Sequence, residues 1–152
     1  MEKNKNVTLE NHKKEKELGM GWHNFLVFYL GFVGVVAIVL GAVEISLGYI
    51  TRPSAILGGI IGMGVGALAF AARGALKEFA ANGLKLLIWF YILRTIWNVV
   101  DTFLPLFMGG AGSYTPDIPH LVGVVIKAII MIAINSVYYE KRRHMFEDDE
   151  EE

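Results

Sequence analysis

The 152-residue chain contains no cysteine, which removes disulfides, thiol nucleophiles and thiolate zinc sites from consideration. Charge is scarce too: Asp, Glu, Lys and Arg make up 19% of residues, where a soluble domain carries about 25%. The net charge of −1 gives no pull toward polyanions, so no nucleic-acid partner is expected. Catalytic signatures are missing as well. There is no H-E-x-x-H, G-x-S-x-G, P-loop or Rossmann glycine pattern. An intramembrane aspartyl protease needs two Asp on facing spans, and Asp101 is the lone Asp inside an apolar run. His12, His23, His120 and His144 are scattered without metal-ligand spacing and read as interface or surface residues. No catalytic residue, metal or cofactor is expected; the chain reads as not an enzyme.

Apolar sequence is what the chain has in quantity. Hydrophobic residues are 54% of the total and mean hydropathy is +0.46. They concentrate in four runs, at about 25–47, 55–72, 84–106 and 118–139. Runs of 18 to 23 residues give helices of roughly 27–35 Å, matching a hydrocarbon core of ~30 Å. A buried helix of a soluble bundle keeps a polar face, yet 56–72 has no polar side chain. The first run is too long for a cleavable signal peptide, and three more follow it. The expectation is an all-α integral membrane four-helix bundle spanning 22–139, in contact with the lipid bilayer.

Lys and Arg set the orientation. Lys3, Lys5, Lys13, Lys14, Lys16, Arg73, Lys77, Lys85, Lys141, Arg142 and Arg143 flank one side, and Arg52 alone flanks the other. That asymmetry predicts cytoplasmic N- and C-termini in a bacterial inner membrane by the positive-inside rule. Trp22, Tyr49, Tyr138 and Tyr139 mark the interfaces.

Between the runs, 48–54 reads as a short outside turn in which Pro53 interrupts helix and Ser54 caps the second span. Residues 75–81 read as a short interfacial helix ending at Asn82 and Gly83. The loop 108–119 is rich in glycine and stopped by Pro116 and Pro119. Residues 1–21 form a polar cytoplasmic arm. Residues 140–152 form a tail that is basic and then acidic, with six consecutive acids at 147–152. That acidic end reads as solubilising, or as a docking site.

Two features lie inside the spans. Gly58, Gly62 and Gly66 recur every fourth residue on the second span, and Ala37, Gly41 and Gly48 share a face of the first. Such zipper-like small-residue rows let helices approach closely where lipid supplies no hydrophobic drive. They predict packing of spans one and two, or self-association with a second copy or a membrane-protein partner. The second feature is charge. Glu44 lies on that same face of span one, Arg94, Asn98 and Asp101 form one stripe of span three, and Lys127 sits on span four. A charge at mid-bilayer costs at least ~2.5–3.5 kcal/mol, so an inward cluster pairing Glu44 and Asp101 with Arg94 and Lys127 is expected. Such a cluster either fixes helix register or lines a polar path. The basic neighbours favour an anion site over a proton carrier.

Gly21, Trp22, His23, Asn24, Phe25 and Leu26 precede the first span, and Tyr138, Tyr139, Glu140, Lys141, Arg142, Arg143, His144, Met145 and Phe146 follow the fourth. These two motifs resemble the flanks of small uncharacterised four-span membrane proteins of Gram-positive bacteria. The resemblance implies the span layout of 21–146 and no activity. Many of those proteins begin with a Cys-rich zinc ribbon, which this chain lacks. Two functions stay open: a non-enzymatic accessory or scaffold protein associating through its Gly-rich helices, or a small ion or solute channel or transporter using the charged cluster.

Overall fold

The computed structural model describes residues 19–51, 53–107 and 115–146. The polar arm before residue 19, Arg52, the glycine-rich 108–114 and the acidic run 147–152 lie outside the described residues. In chain order the helices are α1 (Gly21–Thr51), α2 (Pro53–Lys77), α3 (Gly83–Phe107) and α4 (Ile118–Glu140), followed by a 3-10 turn, Arg143–Met145. Among the described residues there is no strand, and all four α-helices are long and apolar enough to cross a membrane. In hydrocarbon a helix alone satisfies every backbone polar group within its own segment. The long apolar runs therefore have one economical conformation.

The helices extend past the expected spans, and the ends show why. Pro53 takes the first position of α2, where its missing N–H costs nothing. Helix α1 continues to Thr51, so the expected outside turn shrinks, and Ser54 lies within the first turn of α2 rather than capping it. Helix α4 is capped by Asp117, whose Oδ1 accepts the His120 backbone N–H over 2.9 Å. Pro119 sits in its first turn.

The expected separate helix over 75–81 is replaced by a continuation of α2. Its end is a Schellman-type turn: the Ala80 N–H reaches the Ala75 carbonyl at 2.8 Å and the Phe79 N–H reaches that of Leu76 at 3.1 Å. The left-handed position of that turn, normally glycine, is Phe79 at φ 54°. Gly83 then opens α3 instead of closing a helix.

Helices α1 and α2 pack along their lengths as an antiparallel pair, α3 lies on α2, and α4 lies on α3. The start of α1 and the end of α4 come together at one end of the bundle, where Trp22 and His23 meet Asn135 and Tyr139. The densest core is at that end, where Leu26, Leu30, Ala72, Leu76, Leu87 and Phe90 are fully buried. Toward the opposite end, the far end hereafter, α1 and α2 stay in contact through Gly48 and Ala55, and among the described residues of α3 none beyond Tyr91 is buried. Helix α4 is almost wholly exposed along its span. Its Ile126, Ile129 and Ile130 would be stranded in water but suit contact with lipid.

Candidate functional site: a cationic cavity between α1, α3 and α4

Helix α3 carries the polar stripe that organises the site. Its small polar groups are satisfied within the helix: Thr95 Oγ1 donates to the Tyr91 carbonyl (2.8 Å) and Thr102 Oγ1 to that of Asn98 (2.7 Å). Asn98 Nδ2 donates to the Arg94 carbonyl at 2.6 Å. Such back-bonding settles polar side chains in apolar surroundings. Arg94 reaches across to α1, where its Nη1 donates to the Tyr29 hydroxyl at 2.8 Å.

On either side of that contact lies a cavity. One, about 410 Å³, sits between α3 and α4 and touches α1 at Tyr29; Arg94, Asn98, His120 and Lys127 line it, with Tyr91 and Met131 at its inner end. The other, about 480 Å³, lies between α1 and α3 over α2 and includes Glu44, Gly62 and Trp97. Tyr29, Arg94 and Asn98 belong to both. The Tyr29–Arg94 bond is thus a partition between them.

The structure brings Arg94, Asn98 and Lys127 to one cavity and Glu44, Arg94 and Asn98 to the other, while Asp101 lines neither. Among the described residues, none of Glu44, Arg94, Asp101 and Lys127 lies within ion-pair distance of an opposite charge. The expected pairing of two acids with two bases is therefore not formed. For Asp101 and Arg94 the spacing along α3 explains it: Asp101 lies seven residues beyond Arg94, about 10 Å along the axis toward the far end. The Glu44 carboxylate lies instead over Gly58, where a Cβ would stand 3.2 Å from Oε2 and 3.3 Å from the Trp97 ring.

Small residues also behave with more detail than expected. Gly41 faces Gly59 so closely that a Cβ on Gly41 would come within 2.6 Å of the Gly59 carbonyl, and Gly59 meets the Gly41 carbonyl in return. One heptad away Gly66 faces Gly34 (3.0 Å to its carbonyl), and at the turn Gly48 meets Ala55 (2.9 Å). Close packing thus runs through Gly34, Gly41 and Gly48 against Gly59 and Gly66, with Ala37 beside Gly66. Gly58 faces Glu44 and Trp97 instead, and Gly62 has only the Ala37 carbonyl, at 4.0 Å. The spacing that mattered was seven, the repeat of an antiparallel pair, and not four. Arg73, expected in the connection, is part of α2, and its Nε donates to the Val27 carbonyl of α1 at 3.1 Å.

Behind the cavity the bundle is shut by contacts the sequence did not single out. Asn135 is fully buried. Its Oδ1 accepts the Trp22 indole N–H at 2.9 Å, and its Nδ2 donates to the Met131 carbonyl at 2.7 Å. His23, expected at a surface or interface, is 4% exposed. Its Nδ1 is 3.1 Å from the Tyr139 hydroxyl, and its ring stacks on Phe79 with centroids 4.9 Å apart. Phe146 packs against Phe79 and Tyr139. Arg142 lies over the Tyr138 ring and donates through Nη2 to the Gly19 carbonyl at 3.0 Å. Flank motifs that sequence alone reads as two separate boundaries are the two halves of one clasp. The available signal was the pairing of Trp22 and His23 with a polar Asn135 inside an otherwise apolar stretch.

Four helices of spanning length and composition define the class: a small multi-pass membrane protein. Compared with known protein families, curated proteins and solved structures, the chain matches none.

Proposed function

We propose that this is a non-enzymatic accessory or scaffold protein of the cell membrane, with both termini cytoplasmic, acting by binding rather than by conduction. The observation that carries this is the clasp. The cavity ends at Tyr91 and Met131, and beyond them Leu26, Leu87 and Asn135 are fully buried. A conduit needs a wet path through that end, and side chains fill it. The eleven-to-one split of flanking Lys and Arg supports the orientation.

Lateral association would use glycine that the chain does not consume. The α1 face of α2 is taken up by α1, but Gly64 has open space around it, and Ala67 and Ala71 on the same side are exposed. This small-residue strip suits a second copy or a partner span.

The second reading, a small channel or transporter, draws on Arg94 and Asn98, which line both cavities. Purified protein in liposomes separates the two. The accessory reading expects no flux of chloride, potassium or small carboxylates above empty vesicles. Flux that disappears in Arg94→Ala would overturn it. Orientation is tested with Ser113→Cys and Glu147→Cys in intact cells, where an impermeant maleimide should label the first and spare the second.

A further inference from the structure

The 410 Å³ cavity has a chemical character that accessory association does not use. Its charged lining is Arg94 and Lys127, with His120 toward the far end, and among the described residues no acidic side chain lines it. Arg94 spends one donor on Tyr29. That hydroxyl, accepting from the guanidinium, keeps its own proton to donate. Asn98 uses Nδ2 on the Arg94 carbonyl. What remains at the space is chiefly donors, the rest of the Arg94 fork, the Lys127 ammonium and the Tyr29 O–H, beside the Asn98 Oδ1 acceptor and the buried Tyr91 hydroxyl.

Depth sharpens the point. Lys127 lies nine residues into α4, about 13 Å from its first residue, and Arg94 sits about one helical turn deeper than Asn98. Two cations at that depth, with no carboxylate at ion-pair distance, are costly in hydrocarbon unless an anion joins them. The α4 wall beside Lys127 is apolar, with Val124, Ala128 and Met131, and a Cβ at Gly123 would meet nothing within 4 Å. The volume is that of a small-molecule site, typically ~300–1,000 Å³.

We propose that this cavity binds a small organic anion, a carboxylate or phosphate on an apolar body, entering from the far end. The anionic group sits between Arg94 and Lys127, and the apolar body lies along Gly123 and Val124 toward the mouth. A cation is excluded by the two fixed positive charges. A purely inorganic anion leaves the apolar wall uncovered. The site is independent of whether the protein associates laterally.

The test is the thermal unfolding midpoint of the full chain in neutral maltoside micelles, titrated with octanoate, octyl phosphate, octanol and octyltrimethylammonium. The four probes share a tail, so the apolar contribution to micelle partitioning is common to all, and each midpoint is compared at equal micelle-bound probe. Octanoate or octyl phosphate should raise the midpoint saturably, and octanol and octyltrimethylammonium should not. Lys127→Gln changes an exposed side chain for which no hydrogen bond is seen among the described residues, so it should fold normally. It should weaken the apparent affinity at least ~10-fold, as should Arg94→Gln. Oleoyl lysophosphatidate is the membrane-derived arm: saturable binding of it alone assigns the anion to the bilayer, and binding of the octyl anions assigns it to the aqueous side. Either result supports an organic-anion site. Equal shifts with octanol, undiminished shifts in both variants, or no shift with any anion would overturn it.

Discussion

Trp22 and Asn135 stand 113 residues apart in sequence and share a 2.9 Å hydrogen bond at the closed end of the bundle. The bond joins a half-buried Trp22 on the first span to a fully buried Asn135 on the fourth. Its energy is accessible to a double-mutant cycle of Trp22→Phe and Asn135→Leu. The single changes should be non-additive, with a coupling of about 0.6–1.7 kcal/mol, the range of interhelical hydrogen bonds in membranes. Unfolding by a denaturing detergent titrated into mild micelles gives the number, and additivity within error would show that the contact is not formed.

Phe79 holds a left-handed backbone conformation, φ 54°, while its ring stacks on His23. Two terms therefore oppose each other at one residue. Phe79→Ala loses the ring contacts and keeps the backbone strain, so it should destabilise by about 1–3 kcal/mol. Phe79→Gly loses the same ring and relieves the strain, and should be less harmful than Ala by about 1 kcal/mol. The ordering Phe, Gly, Ala in unfolding midpoint is the outcome to check.

Gly59 is closed by the Gly41 backbone, whereas Gly64 is open. Gly59→Leu should push α1 from α2 and cost about 1–3 kcal/mol as overpacking. Gly64→Ala should stay within about 0.5 kcal/mol of the parent or stabilise it. If lateral association runs through the open strip, Gly64→Leu should lower the oligomer fraction in cross-linking without changing monomer stability.

Arg94 and Tyr29 give a further asymmetry, because the Arg94 guanidinium donates to the Tyr29 hydroxyl. Tyr29→Phe should cost about 1.5–3 kcal/mol, the range for hydrogen bonds to charged groups. The double change Tyr29→Phe with Arg94→Met removes both polar groups and should recover most of that loss. Denaturation of the three proteins side by side decides it.

Much of this molecule was legible from composition. Four helices follow from apolar runs too long for a soluble core, because lipid leaves the backbone no other way to satisfy its polar groups. The stripe of Arg94, Asn98 and Asp101 was legible because helical periodicity is strict. Register between helices was not. The four-residue glycine row on the second span was visible, yet packing chose Gly59 and Gly66, because facing partners on a second helix decide which small residues matter. The charges illustrate the same limit. Their depths could be counted along each helix, but the rotation that placed Glu44 over Gly58 and Arg94 beside Tyr29 belongs to tertiary packing. His23 was misread for a related reason: a polar residue at a span boundary looks solvent-facing until the opposite end of the chain folds over it.

The clasp also bears on the order in which the chain completes itself. Helices α1 and α2 are neighbours in sequence and can pair as soon as both have left the ribosome. The contacts of Trp22 with Asn135, His23 with Tyr139 and Gly19 with Arg142 need α4 and the residues that follow it. Until that stretch is made, the first span stands as one leaf of an unfinished hairpin pair, its aromatic end unsealed. Closure at this end therefore waits on α4, which follows the other three helices in the chain.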